Sequence, residues 1–98
     1  MNKTTKQRKF GYNGYANYET WTIGLWDYTE LLWQEALDQG ESEVDAQWCE
    51  DFMYDLLEID SFDNIVGDWV TASFGEVDFR EIAEMTNEAI QENIQDYL

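Results

Sequence analysis

From Asn17 to the end of the chain, apolar residues recur at intervals of three and four, and no stretch alternates with period two. Proline is absent. The pattern predicts four helices. The first starts at Asn17, a good N-cap residue, and runs to about Gln39, with Gly40 as its stop. Trp21, Leu25, Tyr28 and Leu32 mark its buried stripe, which Trp26 and Trp33 widen. Gly24 inside it costs about 1 kcal/mol against Ala and reads as the mark of a close helix crossing. The second helix begins after Ser42, three residues ahead of Asp45, and runs to about Ile59 with Ala46, Trp48, Cys49, Phe52, Met53, Leu56 and Leu57 as its apolar face.

A third helix, from Ser61 to about Phe74, places Phe62, Ile65, Val66, Trp69 and Val70 on one inner face and ends at Gly75. The fourth carries the clearest start signal. Asp78 with Glu81 three residues on forms a capping box, and Val77 can staple onto Ile82. Phe79, Ile82, Ala83, Thr86, Ala89, Ile90 and Ile94 form its inner face. The expected fold is therefore all-α, a four-helix single domain over residues 11–98 behind a disordered basic tail at residues 1–10. A short β-ribbon near Tyr12 to Tyr18 stays open, because Gly11 to Tyr15 read as a turn segment.

Charge changes this picture most. The chain has 22 Asp and Glu against five Lys and Arg, a formal net charge of −17. Four of the five bases, Lys3, Lys6, Arg8 and Lys9, lie in the first nine residues. From Phe10 onward 22 acids face Arg80 alone, so the folded part carries 1 − 22 = −21. Such a density opposes compaction by self-repulsion. On the second helix Glu43, Glu50, Asp51, Asp55 and Glu58 fall opposite the apolar side. On the fourth, Glu84, Glu88, Glu92 and Asp96 recur at i+4 and form one outer line. Like charges at that spacing each cost a few tenths of a kcal/mol, and no base is interleaved to relieve them.

A solvated charged face is the plain explanation, and adaptation to high salt a second; abundant Ile, Asn and Gln with low Ala argue against the latter. The sharper reading is imitation of a nucleic acid. Carboxylates four apart on a helix rise by ~6 Å, and duplex DNA carries one charge per ~1.7 Å of axis. Rows of carboxylates on a rigid body thus approximate a phosphate array in sign and scale.

Other chemistry is thinly represented. The sequence has no histidine, which removes the commonest general base and zinc ligand. Cys49, the single cysteine, lies beside Trp48 and Phe52 on the apolar side and reads as a buried structural thiol in a reducing cytoplasm. The segment Asp60-Ser-Phe-Asp63-Asn64 fails the EF-hand pattern for calcium. No Gly-rich phosphate loop and no apolar run long enough for a membrane helix is present. No enzymatic activity, cofactor, metal, direct nucleic-acid binding or membrane association is expected.

Tyr12-Asn-Gly followed by Asn17-Tyr-Glu-Thr-Trp21, with Asp78-Phe-Arg-Glu-Ile-Ala83 near the end, resembles a set of small uncharacterised proteins encoded by phages, plasmids and microbial genomes. Thr22 stands where that set usually has Asn. The resemblance implies a mobile-element setting and supplies no catalytic residues. The motif has a structural account too: Asn17 caps, Tyr18 and Trp21 pack, and Ile82 and Ala83 enter the core. Setting and acidity together are similar in kind to DNA-mimicking anti-restriction and anti-CRISPR proteins. The expected function is stoichiometric inhibition, in the host cytoplasm, of a basic nucleic-acid-binding protein or ribonucleoprotein defence complex. Glu43, Glu50, Asp51, Asp55, Glu58, Glu84, Glu88, Glu92 and Asp96 would make the contact. A homodimer is left open. The alternative is an interaction module, an antitoxin or adaptor, that binds a basic partner through an aromatic patch at Tyr12, Tyr15 and Trp33. A carboxylate enzyme is a third class.

Overall fold

The computed structural model describes residues 13–97, and among them builds five α-helices, one 3₁₀ turn and no β-strand. The all-α expectation holds, with five helices in place of four. The proposed tail at residues 1–10 and Tyr12 lie outside the described residues. The extra helix arises because the first expected one breaks. Helix α1 spans Tyr18–Leu25 and α2 spans Tyr28–Asp38. Between them Asp27 adopts a left-handed backbone with φ 60°, a conformation open to Asp at modest cost. Periodicity could not reveal this break, because positions 21, 25, 28 and 32 keep the helical spacing across it. Gly24 does mark a close approach, but of a side chain: a Cβ there would lie 2.6 Å from the Tyr15 hydroxyl.

Helix α2 ends in a Schellman motif. Gly40 has φ 81°, its N–H donates to the Leu37 carbonyl, and the Glu41 N–H donates to the Ala36 carbonyl at 2.8 Å. Helix α3, Ala46–Leu56, starts later than expected because Asp45, not Ser42, is its cap; Asp45 Oδ1 accepts from the Trp48 N–H at 2.8 Å. A 3₁₀ turn at Ile59–Ser61 follows. Helix α4, Ile65–Gly75, likewise starts after the expected Ser61, capped by Asn64 Oδ1, which accepts from the Val66 N–H.

Helix α5, Phe79–Tyr97, is the longest at 19 residues, or ~28 Å. Asp78 Oδ1 accepts from the N–H groups of Arg80 and Glu81, as the capping box requires. The reciprocal half of the box is replaced. The Asp78 N–H donates instead to Thr20 Oγ1 at 2.8 Å, and Glu81 Oε1 accepts from the Ala16 N–H at 2.9 Å.

Helix α5 packs across α2 and α3, and the core lies in that seam. Leu32 and Ala36 of α2, Cys49 and Met53 of α3, and Ile82, Thr86 and Ile90 of α5 are fully buried. Each large aliphatic among them contributes roughly 1.5–3 kcal/mol through burial. The inner face expected for the fourth helix is correct: Phe79 and Ala83 are buried, with Ile94 half-buried against the cluster. The inner face expected for the third is not. Phe62, Ile65, Val66 and Trp69 are exposed, Val70 is half-buried, and α4 turns Gly67 and Phe74 inward instead. The reason is at Gly67, where an added Cβ would lie 2.5 Å from the Phe62 carbonyl oxygen. The glycine side of α4 is the one that can approach the connection before it. Leu25 and Trp26, expected in or beside the first stripe, are also exposed.

The two motif segments meet in this fold. Asn17 Oδ1 accepts from both the N–H and the hydroxyl of Thr20, at 2.9 and 2.6 Å, and Asn17 Nδ2 donates to the Glu76 carbonyl. With Thr20 fully buried and bound to Asp78, the start of α1 is fastened to the start of α5. Thr20→Val keeps the shape but leaves the Asp78 N–H unsatisfied. It is expected to lower the unfolding free energy by about 1–3 kcal/mol in urea titrations. Thr22→Val, which removes only a hydroxyl bond back to the Glu19 carbonyl, is expected to cost less; equal losses would show that the junction adds nothing.

Candidate partner-binding surface

All nine acidic residues expected at the contact are exposed. On α5, Glu84, Glu88, Glu92 and Asp96 lie opposite the buried line of Phe79, Ile82, Thr86 and Ile90, as i+4 spacing on one long helix requires. On α3, Glu50, Asp51 and Asp55 stand on the solvent side, away from Cys49 and Met53. Glu58 follows α3 in a left-handed conformation with φ 53°. It belongs to the turn after that helix and not to the helix itself.

The structure joins Glu43 to the α5 row and not to the α3 face. Both backbone groups of Val44 bond to the Asn87 side chain: the Val44 N–H donates to Oδ1 at 2.8 Å, and Nδ2 donates to the Val44 carbonyl at 2.9 Å. This two-point clip holds the connection before α3 against α5, one residue from Glu88. Glu84, Asn87, Glu88 and Gln91 line a shallow depression beside it. A second depression, of about 500 Å³, also holds Glu84 and Glu88, with Glu81 and Arg80. Glu43, Glu84 and Glu88 therefore form one patch, continued along the helix by Glu92 and Asp96. The α3 acids form a second face.

Where an ordinary protein would support a carboxylate with lysine one turn away, this one uses an amide. Gln47 Nε2 donates to Asp51 Oδ1 at 2.9 Å, and Gln39 Nε2 donates to Glu35 Oε2 at 2.7 Å. An amide satisfies an oxygen lone pair without cancelling the charge. Among residues 13–97 Arg80 is the only base, so the field of the whole body has one sign and extends over about a Debye length, ~8 Å at physiological salt.

Cys49 is fully buried in the α3–α5 seam. Burial pushes its thiol up to about 11; a hydrogen bond with Thr86 opposes the shift, and the Asp45 charge adds to it. Such a thiol is not a nucleophile near neutral pH. Among the described residues no group of three acidic or cysteine side chains is placed to hold a metal ion, and no helix is long and apolar enough to cross a membrane.

Of the aromatic patch expected at Tyr12, Tyr15 and Trp33, Tyr12 lies outside the described residues. Tyr15 is half-buried against Gly24, and Trp33 is half-buried against the core. The exposed aromatics lie elsewhere, chiefly Trp26, 72% exposed, and Trp69, 65% exposed. Periodicity pointed inward for both. The overlooked signal is that α4 is apolar almost all round, with Asp68 its single charge.

Residues 8–95 match the model of DUF7249, a family of unknown function, and the chain belongs to that family. No curated protein and no solved structure matches it.

Two solution properties follow from this surface and seam. Added sodium chloride is expected to raise the melting temperature, because screening relieves like-charge repulsion; a fall would mean that ion pairs, not repulsion, dominate. For Cys49 the native thiol titrates at about 11 and the unfolded one near 9.0. The unfolded state therefore loses its proton first, and Cys49 is expected to cost stability progressively as pH rises from about 9 to 11. Cys49→Ala should remove that slope in denaturation profiles, and an unchanged slope would assign it to other groups.

Proposed function

We propose that this member of the DUF7249 family is a stoichiometric binding protein whose α5 row, with Glu43, occupies the Lys- and Arg-lined nucleic-acid groove of a basic partner. The single observation that carries the reading is the segregation of charge. Nine exposed carboxylates stand on packed helices and the turns beside them, and the one base among residues 13–97 lies at an edge of the row. A partner that normally binds phosphates meets a regular row of charge of the same sign here, on a body already ordered, so little entropy is lost on docking. The mobile-element setting implied by the YNG…NYETW resemblance makes a host restriction enzyme or CRISPR effector the expected class of partner, in the host cytoplasm. Inhibition then follows from exclusion: while the acidic row fills the groove, the nucleic acid cannot.

The α5 row is favoured over the α3 face because it is longer and continuous, and because Glu43 is clipped beside it. Capture from host lysate should decline steeply as salt rises, and duplex DNA should compete for whatever is captured. Glu88→Lys/Glu92→Lys is expected to weaken binding roughly tenfold or more and to reduce the slope of log affinity against log salt by about 2. A double variant that binds and inhibits as well as the parent overturns the proposal.

A further inference from the structure

Helix α4 is apolar on nearly every side, a pattern that belongs to a helix enclosed by protein. Only one side is enclosed here. Gly67 and Phe74 face the body, whereas Ile65, 61% exposed, and Trp69 lie open. Between α4 and α1 runs a groove of about 350 Å³ with Ile23, Ile59 and Phe74 among its lining residues and Val66, Trp69 and Val70 along its α4 side. Glu19, Thr22 and Ile23 supply the α1 side. An exposed tryptophan, Trp69, thus lines the apolar channel, and tryptophan is among the residue types most enriched at binding hot spots.

The charge around the channel restricts what can fill it. Glu19 lines it, Glu58 and Asp60 bracket the lining residue Ile59, and Glu76 precedes the lining residue Val77. The one base near any of these in sequence is Arg80, four residues after Glu76, and it does not line the groove. A second copy of the chain, with a net charge of −17, would bring the same acidic rim to the groove, and like charges across an interface cost several kcal/mol. An occupant that is apolar at its centre and cationic at its edges meets both demands.

We propose that the α1–α4 groove is a docking site for a cationic amphipathic helix of a partner protein, a surface separate from the α5 acidic row. The 11 residues of α4 extend ~16 Å. A partner helix of about three turns, anchored by Leu- or Ile-like side chains at i, i+3/i+4 and i+7, would cover it, with Lys or Arg flanking toward the acidic rim. Docking there leaves α5 accessible, so one molecule can hold a helix and a basic groove together.

The test uses the full chain and a labelled synthetic Leu/Lys peptide of about 14 residues, ~21 Å as a helix, followed by fluorescence anisotropy. A control peptide has the same composition, reordered so that its Leu residues share no face. The amphipathic peptide is expected to bind, and the reordered one to bind at least roughly tenfold more weakly. Trp69→Ser, at an exposed position whose folding circular dichroism can verify, is expected to lose roughly tenfold or more of the affinity, the scale of a tryptophan anchor. Ile65→Ser should weaken binding in the same direction. Glu88→Lys/Glu92→Lys should leave it within about threefold, which separates this site from the acidic row. Equal binding of both peptides, or full affinity in Trp69→Ser, overturns the proposal. A dimer of the free protein that Trp69→Ser dissolves would overturn it as well, by assigning the groove to a second copy.

Discussion

Repulsion among carboxylates acts on every part of this molecule, and the dry seam between α5 and helices α2 and α3 is what holds against it. Leu32, Met53, Ile82 and Ile90 leave water completely in that seam, and their burial is of a size that can outweigh many like-charge contacts costing tenths of a kcal/mol each. The geometry of the surface follows from this. Because α5 is the helix both others pack on, its outer side is forced to the outside along its length. The acidic row is as straight as the core beneath it.

The seam alone does not fix how α1 and the connection before α3 join the body. Two polar fasteners do. The Asn17–Thr20–Asp78 junction ties the start of α1 to the start of α5, and the Asn87 clip ties the loop before α3 to the middle of α5. Both work through short side chains bonding to backbone groups, which fixes chain position more tightly than apolar contact can. The two segments that carry the family resemblance, around Asn17 and around Asp78, are the two ends of one of these fasteners.

This explains which parts of the fold were legible in the sequence. The cap at Asn17, the cap at Asp78 and the buried face of α5 could be read because each depends on residues within four positions. The break at Asp27 could not. No proline stands there, the apolar spacing runs through it, and only the left-handed backbone of a single aspartate divides α1 from α2. The exposure of α4 was hidden for a different reason. Its apolar spacing is genuine on two sides, and the contact of Gly67 with the Phe62 backbone selects between them, a choice that depends on tertiary approach. For the surface, exposure of the nine carboxylates followed from periodicity, whereas the joining of Glu43 to Glu84 and Glu88 needed the Asn87 clip, a contact between positions 43 apart.

The amide partners of Asp51 and Glu35 have a further consequence. Scaffolding made of neutral donors does not loosen when electrolyte is added, as lysine bridges would. Changes in ionic strength therefore dim or brighten the electric field of Asp51 and Glu35 while these two sources keep their positions, as with a lamp on a fixed bracket.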